Sequence, residues 1–345
     1  MHTNYSEISQ RVLSRLTSCH GNGEQKDHMT LDTWEWPQGV AMYAMFKLYK
    51  ATGDQHVLDE IIAWYDRHLT RGLPGFNVNT VAPMLTMTLV YQENGDTRYL
   101  PYIRTWSDWV MHIMPRTEEG GLQHITYDDA NLQQLWDDTL YMTCLFLYQA
   151  GIALDDESLK REAEYQFLLH IKYLHSTKTG LWFHGFCFIG RHHFGEAFWA
   201  RGNSWFTAGA VDFVEWLPDS PVRQFILNTW REQCEALVKL QDPATGLWHT
   251  LLDHDDSYLE TSASAAIAYG LLKGARLGIL NDECRAAGEK ALEGVLSQVA
   301  EDGTVLGVSY GTPMGQTQDF YRTVPIQPTA YGQGLTFLML TEKIG

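Results

Sequence analysis

Apolar residues recur every three to four positions along most of the chain. This spacing predicts helices near 5–18, 35–51, 55–70, 80–93, 97–114, 138–150, 157–174, 200–216, 221–240, 260–277, 282–297 and 327–341. No convincing alternation of strand and helix signatures accompanies them. Lys47-Leu48-Tyr49-Lys50-Ala51-Thr52-Gly53-Asp54 ends one helical pattern and begins another, and Leu89-Val90-Tyr91-Gln92-Glu93-Asn94-Gly95-Asp96 does the same 42 residues later. The glycine suits the left-handed residue that closes a helix, and the aspartate accepts free N–H groups of the helix that follows. Weaker versions of this junction run from Tyr148 to Asp156, Glu215 to Ser220 and Leu272 to Asp282.

Tight turns join the two helices of each pair, and longer loops at 71–79, 115–137, 175–199, 241–259 and 298–326 join the pairs. The first helix of a pair is the more apolar, as in Ser262-Ala263-Ser264-Ala265-Ala266-Ile267-Ala268-Tyr269-Gly270. A helix that is apolar on nearly every face is buried. Six such helices inside and six amphipathic ones outside make an all-α (α/α)6 barrel of six helical hairpins, a single domain over 1–345. An open solenoid is the rival, but it gives no reason to stop at six pairs. In the barrel, every long loop ends at the N-terminus of an inner helix. One mouth then gathers Trp34 to Trp36, Asn77, Asn79, Asp137, Asp138, Trp199 to Trp205, Glu260 and Tyr321 to Gln327. Helix N-termini there favour anionic or strongly polar ligands.

Composition narrows the partner. Lys and Arg total 25 against 42 Asp and Glu, a formal net charge of -17. With no basic patch, nucleic acid is not expected, nor any long polyanion gripped by bulk charge. An anionic ligand should be small and held by a few placed groups. The 12 Trp and 17 Tyr suit a sugar-binding cleft, although large cores use the same rings. No apolar run is long enough to span a membrane. The opening residues Met1-His2-Thr3-Asn4-Tyr5-Ser6-Glu7 lack the basic-then-apolar pattern of a secretion signal. Cys19, Cys144, Cys187, Cys234 and Cys284 are scattered and odd in number, as expected of free thiols in a reducing cytoplasm.

The sharpest motif is Leu135-Trp136-Asp137-Asp138-Thr139-Leu140-Tyr141-Met142, two acids opening an inner helix between aromatic rings. The plain reading is capping, worth about 1 kcal/mol. Both roles fit together if Asp137 caps and Asp138 turns into the cavity. A proton donor working near neutral pH needs its pKa raised, whereas a helix N-terminus lowers it. In Phe198-Trp199-Ala200-Arg201-Gly202-Asn203-Ser204-Trp205, Arg201 can fork onto a carboxylate while Trp stacks on a sugar ring, or it can tie down loop carbonyls. Gly180-Leu181-Trp182-Phe183-His184 recurs as Gly246-Leu247-Trp248-His249 and weakly as Gly121-Leu122-Gln123-His124, which a repeat architecture also produces without function. His192-His193 and His254-Asp255-Asp256 lack metal-ligand spacing, and no phosphate-binding loop is present, so neither metal nor cofactor is expected.

These phrases, with Trp34-Glu35-Trp36-Pro37-Gln38-Gly39-Val40, Gln241-Asp242-Pro243-Ala244-Thr245-Gly246-Leu247-Trp248 and Tyr258-Leu259-Glu260-Thr261-Ser262-Ala263-Ser264, resemble glycoside hydrolase family 105, the unsaturated rhamnogalacturonyl hydrolases. More distantly the chain is similar to family 88, the unsaturated glucuronyl hydrolases. The resemblance covers nearly the whole chain and implies the (α/α)6 fold. It implies removal of a 4,5-unsaturated uronic acid from lyase-generated oligosaccharides by hydration of the C4=C5 bond. Asp138 takes the place of the catalytic acid, and His184 that of the active-site histidine. Trp199, Arg201 and Trp205 match the sugar-binding phrase, Asn77 and Asn79 fall where the family meets sugar hydroxyls, and Trp36 is placed as a stacking wall. Asp137 departs from the family pattern, where many relatives carry a small or apolar residue.

Other readings stay open on sequence. The substrate could be a glycosaminoglycan or ulvan fragment. The barrel could serve sugar epimerisation with His184 and His249 as acid and base, non-catalytic sugar binding, or a conventional two-carboxylate glycosidase with Glu260 as second acid. The oligomeric state has no sequence signature.

Overall fold

A computed structural model describes residues 4–20 and 28–344. Among them are thirteen α-helices: α1 (Tyr5–Thr17), α2 (Trp36–Thr52), α3 (Gln55–Arg71), α4 (Val78–Asn94), α5 (Leu100–His112), α6 (Leu145–Leu154), α7 (Glu157–Leu174), α8 (Ala200–Trp216), α9 (Pro221–Lys239), α10 (Thr261–Arg276), α11 (Asp282–Leu296), the short α12 (Gln318–Arg322) and α13 (Ala330–Ile344). The twelve long ones are those expected, with ends moved by a few residues. Two helix starts differ from the expectation. Residues 97–99 form a tight 3-10 turn before Pro101, in the first turn of α5. The helix expected from 138 begins as a π-helical turn at Leu140–Cys144 and runs on into α6.

The hairpin junctions use the residues that the pattern pointed to. Gly53 and Gly95 adopt φ of 69° and 70°, and their N–H groups close α2 and α4 on Tyr49 O and Tyr91 O, each at 2.8 Å. Asp54 and Asp96 accept from His56 N and Arg98 N, both at 3.0 Å. Each such cap is worth about 1 kcal/mol.

Inner helices α2, α4, α6, α8, α10 and α13 pack side by side and close on themselves, α8 meeting α6 through the π turn and α13 meeting α2. Outer helices α3, α5, α7, α9 and α11 each back the inner helix before them, and α1 backs α13. This is the (α/α)6 barrel, its last hairpin made from the two ends of the described chain. Burial follows the two helix types. α10 is buried at every position but the last. α3 buries one stripe, Val57, Leu58, Ile61, Trp64, Tyr65 and His68, at helical spacing. One apolar cluster runs from Val12 to Leu340.

Deep on the inner helices, Asp212 of α8 accepts from Tyr43 (2.5 Å) on α2 and Tyr269 (2.6 Å) on α10, and pairs with Lys273 of α10 and with Lys47 of α2 at 3.3 Å. Burial disfavours the Asp212 charge, but the two ammonium groups and the phenols outweigh it and hold its pKa low. Among the described residues, four short strands lie in the loops: β1 (Gln134–Trp136), β2 (Gly185–Cys187), β3 (Trp248–His249) and β4 (Leu259–Glu260). They pair as β1–β2 and β3–β4, both antiparallel. At two or three residues each, they are too short to show a period in sequence.

Candidate active site

The β1–β2 pair builds the centre of the site. Trp136 lies opposite Gly185, and just past the pair Asp137 N donates to His184 O at 3.0 Å. This register sets the two aspartates against the histidine: His184 Nε2 is 3.2 Å from Asp138 Oδ2, near but not aligned as a hydrogen bond. On the far side of the ring, His184 Nδ1 meets the Tyr321 hydroxyl of α12 at 2.6 Å, and that hydroxyl accepts from Gly315 N at 3.1 Å.

Asp138 opens into a cavity of about 720 Å³ at the mouth of the barrel. This volume suits one or two sugar rings. Its wall includes Trp36, Asn79, His124, Trp136, Trp199 and Arg201, with the segments 128–131 and 310–316 on either side. His124 stacks on Trp136, with centroids 4.1 Å apart and planes 10° apart, and its Nδ1 meets Thr139 Oγ1 at 2.8 Å. Burial holds its pKa down at about 3, so it is a neutral ring at neutral pH. Trp199 lies between His184, 4.4 Å away, and the guanidinium of Arg201, 4.6 Å from its ring.

The two acids behave differently. Asp137 is fully buried, and neither of its carboxyl oxygens has a hydrogen-bond partner among the described residues. Burial, then the adjacent Asp138 charge, pushes its pKa well up. Burial works against the Asp138 charge too, but the His184 ring beside it, His124 and the Asp137 carboxyl hold its pKa below the usual carboxylate range. The two carboxyls are thus pushed apart, Asp137 upward and Asp138 downward, and they titrate as a pair.

Of the eight residues singled out from sequence, Trp36, Asn79, Asp138, Trp199 and Arg201 line the cavity. His184 is only 2% exposed and is not a wall residue; it reaches the cavity through Asp138. Asn77 is placed differently: it is the N-cap of α4, its side chain accepting from Asn79 N and Thr80 N while Thr80 Oγ1 returns a bond to its own N–H. Trp205 is fully buried behind the wall, edge-on to Trp36 at 6.0 Å and 5.0 Å from Tyr141. Asp137 is not a cap, since its carboxyl accepts from no backbone N–H.

Arg201 does what its plainer reading held. It donates to Ser309 O at 2.8 Å, Tyr310 O at 3.1 Å and the hydroxyls of Ser309 and Thr312, with Glu260 3.8 Å away. It thereby shapes the 309–312 wall. Glu260 is the N-cap of α10, bonded to Ala263 N, the Ser262 hydroxyl and Ser309 N, and it does not line the cavity. That placement leaves it unfit as a second acid. His249 bonds Ser257 O and is also absent from the wall, so the structure does not bring the imagined histidine pair together. Sequence reasoning passed over His124, whose only signal was the weak Gly-Leu-x-His phrase, and did not link Tyr321 to His184, which needs contact across 137 positions.

Fold and site together define a helical-barrel enzyme whose acid stands in an aromatic-walled cavity suited to a sugar. The chain belongs to glycosyl hydrolase family 88, whose family profile matches residues 8–344. It is 35% identical over 319 residues, 90% of each chain, to the unsaturated rhamnogalacturonyl hydrolase YesR of Bacillus subtilis. A Salmonella enterica crystal structure, described as a possible member of family GH105, superposes with a TM-score of 0.96 at 42% identity, covering 99% of this chain and 93% of that one. At 18% identity the unsaturated glucuronyl hydrolase of Bacillus sp. GL1 shares the fold, with a TM-score of 0.69 over 98% of this chain and 94% of that one.

Proposed function

We propose that this protein removes a 4,5-unsaturated uronic acid from the non-reducing end of lyase-generated oligosaccharides, with the unsaturated rhamnogalacturonan disaccharide as its first substrate. The observation that carries the reading is that, among the described residues, a single acid lies deep in the cavity. Asp138 faces the cavity, whereas Asp137 is sealed behind it, Glu260 is used as a cap, and Asp128 and Asp129 are exposed on a loop at the rim. A conventional glycosidase needs two carboxylates across the bond. Hydration of an enol ether needs one group that first gives and then takes a proton.

In this reading Asp138 protonates C4, and the positive charge that develops at C5 is shared with the ring oxygen. A water adds at C5 and returns a proton to Asp138. The resulting hemiketal opens and releases the neighbouring sugar. His184 orients Asp138, and Tyr321 fixes the His184 ring. Trp36, Trp136 and Trp199 supply apolar ring faces, and Asn79, whose side-chain amide has no hydrogen bond among the described residues, turns toward sugar hydroxyls. The 309–312 wall, held in place by Arg201, receives the uronate carboxylate. The whole chain acts as one catalytic unit. Its five cysteines are all unpaired, which supports a reducing, cytoplasmic setting. No helix among the described residues is long and apolar enough to cross a membrane.

The test is a panel of disaccharides made by lyases from pectin, glycosaminoglycan and ulvan, followed by loss of the double-bond absorbance. The rhamnogalacturonan product should be consumed fastest, with one water gained per bond cleaved. Asp138→Asn should lower kcat by about a thousandfold while leaving the fold intact. Cleavage of saturated substrates at similar rates, or near-normal turnover by Asp138→Asn, contradicts the reading.

A further inference from the structure

Among the described residues, Asp137 is the buried acid beside Asp138 that the scheme above leaves without a task. Its side chain has no solvent exposure and no hydrogen-bond partner among the described residues, although its backbone N–H is bonded to His184 O. An ionised carboxylate in such a place would cost several kcal/mol. The surroundings are shaped to hold the group all the same. Gly202 on α8 leaves room for it: a Cβ there would come within 2.4 Å of Asp137 Oδ2 and 2.9 Å of the Trp199 ring. One carboxyl oxygen of Asp137, one of Asp138 and one ring nitrogen of His184 lie within 4.8 Å of one another.

The groups facing this cluster are few. His184 comes from the segment before β2, His124 from the loop after α5, Tyr321 from α12 and Trp199 from the start of α8. The nearby guanidinium, Arg201, is directed at Ser309, Tyr310 and Thr312, beside Glu260. No lysine or arginine pairs with either aspartate among the described residues. Two adjacent acids without a lysine or arginine partner favour sharing one proton over ionising together.

We propose that Asp137 is a positioning residue that stores the proton used by Asp138, so that the Asp137–Asp138 pair enters and leaves each turnover carrying one proton. The inference rests on the hydration reading above. Asp137 passes its proton to the Asp138 carboxylate as the substrate's double bond is seated. The π pair of C4=C5 takes that proton to form the C4–H bond, leaving the cation at C5. Hydroxide from the attacking water bonds to C5, and the water's other proton returns to Asp138 and then to Asp137. Nothing is oxidised or reduced, and the net addition is one water. Storage behind the wall solves a local problem: a lone Asp138 beside His184 would stand ionised at neutral pH, the wrong state for protonating carbon.

The experiment compares kcat against pH for the wild type, Asp137→Asn and Asp137→Leu on the unsaturated rhamnogalacturonan disaccharide. Asn keeps the shape of the side chain but carries no transferable acid proton. The alkaline limb of kcat should move to lower pH by about one unit or more in both variants. At pH 8 the loss should be about tenfold or greater, easing as the pH falls, with KM within about threefold of wild type. Infrared difference spectra supply a second readout: the C=O stretch of a buried protonated carboxyl should be present at pH 7 in the wild type and absent in Asp137→Asn. An unmoved limb, a loss equal at every pH, or no such band overturns the proposal. So does activity that a chelator removes and a divalent cation restores, because the three groups would then be metal ligands. If the wild type consumes none of the panel, the function reading fails, and the infrared band still decides where the proton resides.

Discussion

The Tyr321 hydroxyl and His184 Nδ1 stand 2.6 Å apart, and this contact sets which nitrogen of the histidine faces the acid. Tyr321 already accepts from Gly315 N at 3.1 Å. Its own proton has two candidate acceptors, the imidazole nitrogen and Met314 Sδ at 3.8 Å, and the nitrogen is the stronger and nearer. In this network His184 Nδ1 accepts from the phenol, and Nε2 is the nitrogen that faces Asp138 Oδ2. The tautomer is assigned from this network.

Tyr321→Phe tests that chain. Without the hydroxyl, His184 can place its proton on either nitrogen, and Gly315 N–H loses its partner. We expect kcat to fall about ten- to a hundredfold with KM little changed. Stability should drop by about 1–2 kcal/mol, read from urea unfolding. Unchanged kcat at the same loss of stability would mean that the phenol supports only the loop.

Arg201→Lys asks whether the guanidinium is needed for its shape. Arg201 spreads four hydrogen bonds over Ser309, Tyr310 and Thr312 and packs between Trp199 and Tyr331, 4.6 and 5.1 Å from their centroids. A lysine keeps the charge but cannot reproduce the planar fork. The 309–312 wall should loosen, raising KM about tenfold or more. Arg201→Met, which removes the charge, leaves buried Glu260 without its cation and should cost about 3–5 kcal/mol. A KM unchanged in the lysine variant would show that this wall does not meet the substrate.

The helical hairpins were readable because their signals are local. Gly53-Asp54 and Gly95-Asp96 carry a helix stop and the next start in two adjacent residues, and both act as caps. Closure of the barrel by α13 against α1 and α2 was not readable residue by residue, since those contacts join opposite ends of the sequence. The site divides in the same way. Asn77 and Asn79 are two residues apart at one helix start, yet one turns inward to cap α4 and the other lines the cavity. Only the packed direction of that first turn tells them apart. For Arg201, composition drew attention to a scarce cation, but its hydrogen bonds depend on a loop more than 100 positions away. The opposed states of Asp137 and Asp138 come from burial and from the β1–β2 register, which a three-residue strand does not announce.

Two buried histidines make stability depend on pH in a direction that can be checked. His124 and His170 are held to about 3 and about 4, in both cases chiefly by burial, against 6.5 for a free ring. His170 Nδ1 meets Gln166 O at 2.7 Å, and its Nε2 has no partner among the described residues. For a base whose folded pKa is depressed, the unfolded chain binds the proton first. The stability is fully present above pH 6.5 and is lost as the pH falls through the window down to the folded pKa. Each ring should cost about 3 kcal/mol by pH 4. Urea unfolding of His170→Gln across pH 7 to 4 should show a shallower decline than wild type, by about one proton's slope between pH 6 and 4.5. Equal slopes in the two proteins would mean that His170 takes up its proton without unfolding the barrel.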